Sequence, residues 1–181
     1  MSTLRIREPS LVVLVGAAGS GKSTLAARWF APDEILSSDA LRALVSGDAA
    51  DQRATKAAFA ILQRTLDRRL MAGQTTVVDA TNVTARARRE LLTIARRAGV
   101  PAVAIVLDLP PAVVHARNAA RSERVVDASV VDRHLAALRA TIDGGALTSE
   151  GFDPIVILRS PAEVDALVIE RGVPGGESAV R

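Results

Sequence analysis

Short apolar runs alternate along the chain with longer stretches in which alanine, leucine and arginine recur at helical spacing. The apolar runs are Leu11 to Val15, Glu34 to Ser37, Thr75 to Val78, Ala102 to Asp108 and Ile155 to Leu158. All five are short and largely apolar, as strands covered on both faces should be. Helical periodicity covers Lys22 to Phe30, Asp51 to Ala72, Ala85 to Ala98, Ala112 to Glu123, Ala128 to Ile142 and Ala162 to Glu170. Strands that alternate with helices of this length build βαβ units, so the expected fold is α/β, a parallel five-stranded sheet with helices on both faces. Residues 1–171 form one domain in this reading. The segment 172–181, with Pro174, Gly175 and Gly176, has no periodic apolar face and is expected to be a flexible tail.

Composition narrows the classes. The chain has 181 residues, 49% hydrophobic and 24% charged, which is enough to bury a core and suits a single domain with one active site. With no cysteine, disulfides, thiolate metal sites and thiol nucleophiles are excluded. No apolar run approaches the roughly 18 to 20 residues that a bilayer requires, so no membrane partner is expected. Arg5 and Arg7 precede the Leu11 to Val15 run as they would in a signal peptide, but that run breaks into glycine after five residues. A cytoplasmic protein is therefore expected. Net charge is +3, yet Lys22 and Lys56 are the only lysines among 23 basic residues. That arginine excess fits either a drift toward alanine and arginine in composition or a demand for phosphate-gripping guanidinium groups.

Directly after the first strand comes Gly16-Ala17-Ala18-Gly19-Ser20-Gly21-Lys22-Ser23, followed by Thr24, a full match to G-x-x-x-x-G-K-[ST] between strand and helix. Glycines let successive N–H groups turn inward on a β-phosphate, and the helix that follows adds the positive end of its dipole. A nucleoside triphosphate donor follows, with Lys22 reaching the β- and γ-phosphates and the Ser23 hydroxyl entering the shell of a Mg²⁺ ion.

Other polar positions at strand ends say what is done with the nucleotide. After the second strand, Ser37-Ser38-Asp39-Ala40-Leu41-Arg42 places Asp39 and Arg42 on one helical face. Asp39 fits a helix N-cap and a catalytic base equally well, and the two roles are compatible. After the third strand, Asp79-Ala80-Thr81-Asn82 holds a carboxylate whose functional role outweighs a plain turn, with Asn82 or Thr84 as the cap of the next helix. Arg117, Arg121 and Arg124, spaced four and three apart, would share one helical face as either a solvated surface or a lid over polyphosphate. Arg86, Arg88, Arg89, Arg96 and Arg97 on another helix are expected to form a solvated face rather than a nucleic-acid patch. His115 and His134 lack triad partners and are expected at the surface or satisfied in the core.

Taken together, GAAGSGKST, SSDALR, VVDATN, RNAARSER and EGFD resemble the kinase module of bacterial polynucleotide kinase-phosphatases, from about Leu11 to about Val168. The chain is similar also to the zeta-toxin and chloramphenicol phosphotransferase families, which share the loop and an aspartate after the second strand. The resemblance implies a P-loop kinase fold with an arginine-bearing helical lid, and ATP with Mg²⁺ as cofactors. It implies that Asp39 is the general base on a 5′-hydroxyl, that Arg42 contacts the reacting phosphate and that Asp79 supports the site near Arg42. It implies that Arg117, Arg121 and Arg124 cover the ATP phosphates, and that a 5′-OH nucleic-acid end is the acceptor. The family's phosphatase and ligase-like domains have no counterpart in these residues, so a stand-alone kinase or one excised module is expected. With aromatic residues at 2%, nucleic acid should be held by phosphate contacts at its end rather than by base stacking. Two other readings remain: a kinase of a small hydroxylated metabolite, antibiotic or nucleotide sugar, and a non-catalytic ATP-binding switch.

Overall fold

The computed structural model describes residues 2–46, 55–122 and 125–172. Five strands form one parallel sheet: β2 (Leu11–Val15), β3 (Ile35–Ser37), β4 (Thr76–Asp79), β5 (Ala102–Leu107) and β6 (Ile155–Leu158). Their order is β3-β4-β2-β5-β6, so the glycine-rich loop leaves the central strand with β4 on one side and β5 on the other. Every residue of β2 is buried, because successive side chains enter opposite layers. Leu11, Val13 and Val15 meet Leu62, Leu66 and Leu70 of α3 (Thr55–Met71) and Leu91, Leu92 and Ile94 of α4 (Ala85–Ala98). Val12 and Leu14 face the other layer, where α1 (Lys22–Trp29) contributes Leu25 and Ala26.

Four further helices are α2 (Ser38–Ser46), α5 (Pro111–Ala119), α6 (Ala128–Asp143) and α7 (Ala146–Glu150). The five-stranded architecture is the α/β fold that the hydrophobic pattern predicts, with strand ends within one residue. Several elements differ. Ala162 to Glu170 is not one helix: α8 (Pro161–Asp165) stops after five residues and β7 (Val168–Gly172) follows. The β-branched pair Val168-Ile169 is drawn into parallel pairing with β1 (Thr3–Arg7), from the far end of the chain, and this closes Leu4, Ile6, Leu167 and Ile169 into the second core layer. Gly172 therefore ends a strand, and residues 173–181 lie outside the described residues. Residues 51–54 of the predicted helix Asp51 to Ala72 also lie outside them. Finally, α5 ends at Ala119 rather than Glu123, because the Asn118 side chain captures the backbone of Val126 and turns the chain. Among the described residues no helix is long and apolar enough to cross a membrane.

Candidate active site

The phosphate loop is shaped by its glycines. A Cβ on Gly16 would lie 2.8 Å from Ser20 Oγ and 3.1 Å from Leu107 O, so only glycine lets the loop pass over β5. Gly19 and Gly21 hold left-handed φ values of 86° and 96°. Gly21 is also the N-cap of α1 and supplies no side-chain acceptor, so the first-turn amides stay available to an anion. Lys22 is buried, and its Nζ donates to Ala17 O at 2.7 Å and to Ser20 Oγ at 3.4 Å. Burial pushes its pKa down from 10.5 to about 8; Asp79 opposes the shift and Arg121 adds to it.

Ser23 Oγ donates to Asp79 Oδ2 at 2.6 Å. Asp79 closes β4, one strand over from the loop, so its carboxylate is matched with the loop hydroxyl, and it lines the same cavity as Arg42. Among the described residues no group of three or more His, Cys, Asp or Glu could hold a metal ion. The Ser23–Asp79 pair nevertheless fits Mg²⁺, which favours one or two protein oxygens with phosphate oxygens and water in the remaining positions.

In α2, Ser37 Oγ accepts from the Ala40 N–H at 3.4 Å, so Ser37 serves as the cap and Asp39 lies inside the first turn. The capping alternative for Asp39 is thereby removed. Asp39 is ion-paired with Arg42, whose side chain is buried. Ser37 pairs with Asp79 across β3 and β4, and this register brings the start of α2 beside the Ser23–Asp79 pair.

Arg117 Nη1 donates to Ser20 O at 3.4 Å and lies against Gly21, where a Cβ would meet it at 3.3 Å. Arg121 stands beyond the end of α5, so it does not share a helical face with Arg117; Arg124 lies outside the described residues. Arg117 and Arg121 nonetheless open on one cavity of about 540 Å³ with Gly19, Lys22, Ser23, Thr24, Asp39, Arg42 and Asp79. Gly16, Ala17 and Ser20 act from behind the loop, through Lys22 and the backbone, while Ala18 lines the cavity itself.

Further lining residues carried no motif. Arg28, Phe59, His134 and Asp165 all reach this cavity. His134 is half-buried on the cavity wall; it lies one turn after Val130, which lines the same cavity, but nothing in that spacing says which face of α6 turns to the loop. His115 Nε2 lies 2.8 Å from Asp132 Oδ1. On helix α4, Arg86, Arg89, Arg96 and Arg97 are exposed, as a solvated face requires, and Arg88 departs from it. Arg88 is buried and grips Glu150 with two bonds of 2.7 Å while its Nη1 donates to Asn82 O at 3.0 Å. Arg86 pairs with Glu90, Arg96 donates to Glu150 O and Arg97 pairs with Asp67. Thr84, not Asn82, caps α4, accepting from the Ala87 N–H at 3.3 Å. Asn82 instead donates from Nδ2 to Leu14 O at 2.8 Å, at φ 49°.

No curated protein matches this chain. Solved structures do. A chain of the Pnkp1/Rnl/Hen1 RNA repair complex is 20% identical, with a TM-score of 0.64 over 77% of this chain and 47% of that one. A chain of the AvrRxo1-ORF1:ORF2 complex with ATP is 14% identical, with a TM-score of 0.67 over 84% and 55%. The tunicamycin resistance protein of Deinococcus radiodurans is 18% identical, with a TM-score of 0.53 over 82% and 86%. The chain spans about half the length of the first two. Likeness at these identities is one of fold, and the fold is that of P-loop kinases. Residues 11–144, most of the chain, match the AAA domain family model AAA_33, and the chain belongs to that family.

Proposed function

We propose that the protein is an ATP-dependent phosphotransferase that moves the γ-phosphate of ATP to the 5′-hydroxyl of RNA or DNA. The observation that carries this reading is the shared cavity, onto which Lys22, the Ser23–Asp79 pair and the Asp39–Arg42 pair all open. Loop amides and the N-terminus of α1 hold the β-phosphate, and Lys22 spans the β- and γ-phosphates. Ser23 and Asp79 are the residues that would hold Mg²⁺, which when bound neutralises charge on the β- and γ-oxygens. Asp39 accepts the proton of the acceptor hydroxyl as its oxygen bonds to the γ-phosphorus and the bond to the β,γ-bridging oxygen breaks, leaving ADP. Arg42, Arg117 and Arg121 spread the charge that develops on the transferred group.

A polynucleotide acceptor is supported by the Asp39-Ala40-Leu41-Arg42 spacing and by the shared fold with a chain of an RNA repair complex. One observation favours the second reading, a small hydroxylated acceptor: Arg88 is buried against Glu150, and Arg86 and Arg97 each carry a carboxylate partner, which offsets part of the charge that an extended polyanion would meet. The experiment is a transfer assay with γ-labelled ATP, offering a 5′-OH oligoribonucleotide, a 5′-OH oligodeoxynucleotide and a panel of hydroxylated small molecules. Label on an oligonucleotide is the expected result; label on a small molecule alone establishes the second reading, and no label with retained ATP binding establishes a switch. Asp39→Asn, run alongside, should lower transfer by about 10² or more with the helix cap intact, since Ser37 holds the cap. Near-parental transfer by that variant would place the base elsewhere.

A further inference from the structure

Asn118 lies in the last turns of α5 and is only 4% exposed. Both ends of its amide are spent on one residue eight positions on: Nδ2 donates to Val126 O at 2.7 Å, and Oδ1 accepts from the Val126 N–H at 3.1 Å. A single side chain thus makes the paired bonds that a neighbouring strand would make, and it ties the entry of α6 to the end of α5. Asn118 also leans on the phosphate loop. A Cβ at Gly19 would stand 3.0 Å from Asn118 Cβ and 2.6 Å from Val114 O, so the loop and α5 are in direct backbone contact at a position only glycine allows.

Two of the cavity-facing arginines straddle this residue. Arg117 precedes it, and Arg121 follows where the helix has ended, with the Arg121 N–H donating to Asn118 O at 3.3 Å. Among the described residues neither Arg117 nor Arg121 is ion-paired, so nothing at the guanidinium end fixes where Arg121 points. A long side chain without a charged partner is aimed by its backbone, and Arg121 lies between Asn118 and Val126, the two residues that these side-chain bonds join. Asn118 itself does not line the cavity.

We infer that Asn118 is a positioning residue of this site: its double bond to Val126 places Arg121 over the phosphate loop and acts on phosphoryl transfer through Arg121 alone. This rests on the phosphotransferase reading above. The test is a double-mutant cycle on the transfer assay, with Asn118→Ala, Arg121→Ala and both together, on the acceptor that the parent labels best. Asn118→Ala is expected to lower kcat by about tenfold or more with KM for ATP changed less than about threefold, and by less than about twofold when added to Arg121→Ala. A packing role would instead lower kcat by the same factor in both backgrounds, and that result overturns the inference. Parental kcat in Arg121→Ala overturns it differently, by removing the arginine from the chemistry while Asp39→Asn still reports on the phosphotransferase reading. Where Asn118→Ala does not fold, Asn118→Asp keeps the volume and the acceptor for Val126 N–H but loses the donor. Its smaller fall in kcat should likewise vanish in the Arg121→Ala background, and a fall that persists there overturns the inference.

Discussion

Two arginine-rich segments, α4 and the end of α5, look alike along the chain and behave differently in the fold. In α4 the guanidinium groups have been claimed by carboxylates brought from a distance: Glu150 takes Arg88, and Asp67 takes Arg97. At the end of α5 no described carboxylate arrives, and Arg117 and Arg121 face a cavity beside the phosphate loop. An arginine with a buried internal partner is part of the scaffold, whereas one that no described carboxylate pairs with is held ready for an anion from outside. The same side chain therefore serves stability in one place and ligand binding in the other, and the difference is set by what the tertiary structure brings to it.

The largest effect expected on this view is on stability. Arg88→Ala leaves the Glu150 carboxylate without its bidentate partner, so it should cost about 3 to 5 kcal/mol in denaturant unfolding while kcat of the folded protein stays within about threefold. A loss under about 1 kcal/mol would erase the contrast from the α4 side. Next come Arg117→Ala and Arg121→Ala, each expected to lower kcat by about 10² with a stability change under about 0.5 kcal/mol. Lysine at either position should rescue poorly, because a point charge does not reproduce the guanidinium fork. Parental kcat in both alanine variants would make this segment an ordinary charged surface.

Lys22 sharpens the comparison from the third side, since it is a buried cation with only neutral oxygens as direct partners. Its pKa of about 8 means that the free protein loses the phosphate-binding charge as pH rises through 8. KM for ATP should therefore climb above pH 8, by up to about tenfold per pH unit. Stability of the unliganded protein runs the opposite way. The folded pKa lies below the ordinary 10.5, so between pH 8 and 10.5 the unfolded chain binds the extra proton and the folded state gains stability as pH rises. An ATP KM flat from pH 7 to 9.5 would show that Lys22 stays charged. The smallest effect belongs to Arg86, 89% exposed in its pair with Glu90, where alanine should change stability by less than about 0.5 kcal/mol and kcat not at all.

Legibility followed the range of the interactions. The phosphate loop was readable in full, since loop, lysine and hydroxyl are contiguous and their chemistry depends on local backbone geometry. Asp39 and Arg42 were readable as a pair but not as a role, because Ser37 and Asp39 are both good caps and only the fold shows that Ser37 takes the Ala40 amide. Asp79 was readable as functional while its partner was not, since Ser23 lies 56 residues away and meets it across a strand pairing. The helical stripe of Arg117, Arg121 and Arg124 failed at its middle member, because Asn118 competes for the backbone in a way that spacing does not reveal.

The sequence by itself determined the five strands of the parallel sheet, the main helices between them and the phosphate loop. Each of these rests on periodicity or on short-range backbone chemistry that neighbouring residues set among themselves. Tertiary structure alone decided that Val168 to Gly172 pairs with Thr3 to Arg7, that Glu150 silences Arg88, and that Phe59, His134 and Asp165 join the cavity wall. Such meetings depend on which distant segments the closing core brings within hydrogen-bond reach, and an amphipathic pattern specifies that a face is buried without specifying against what.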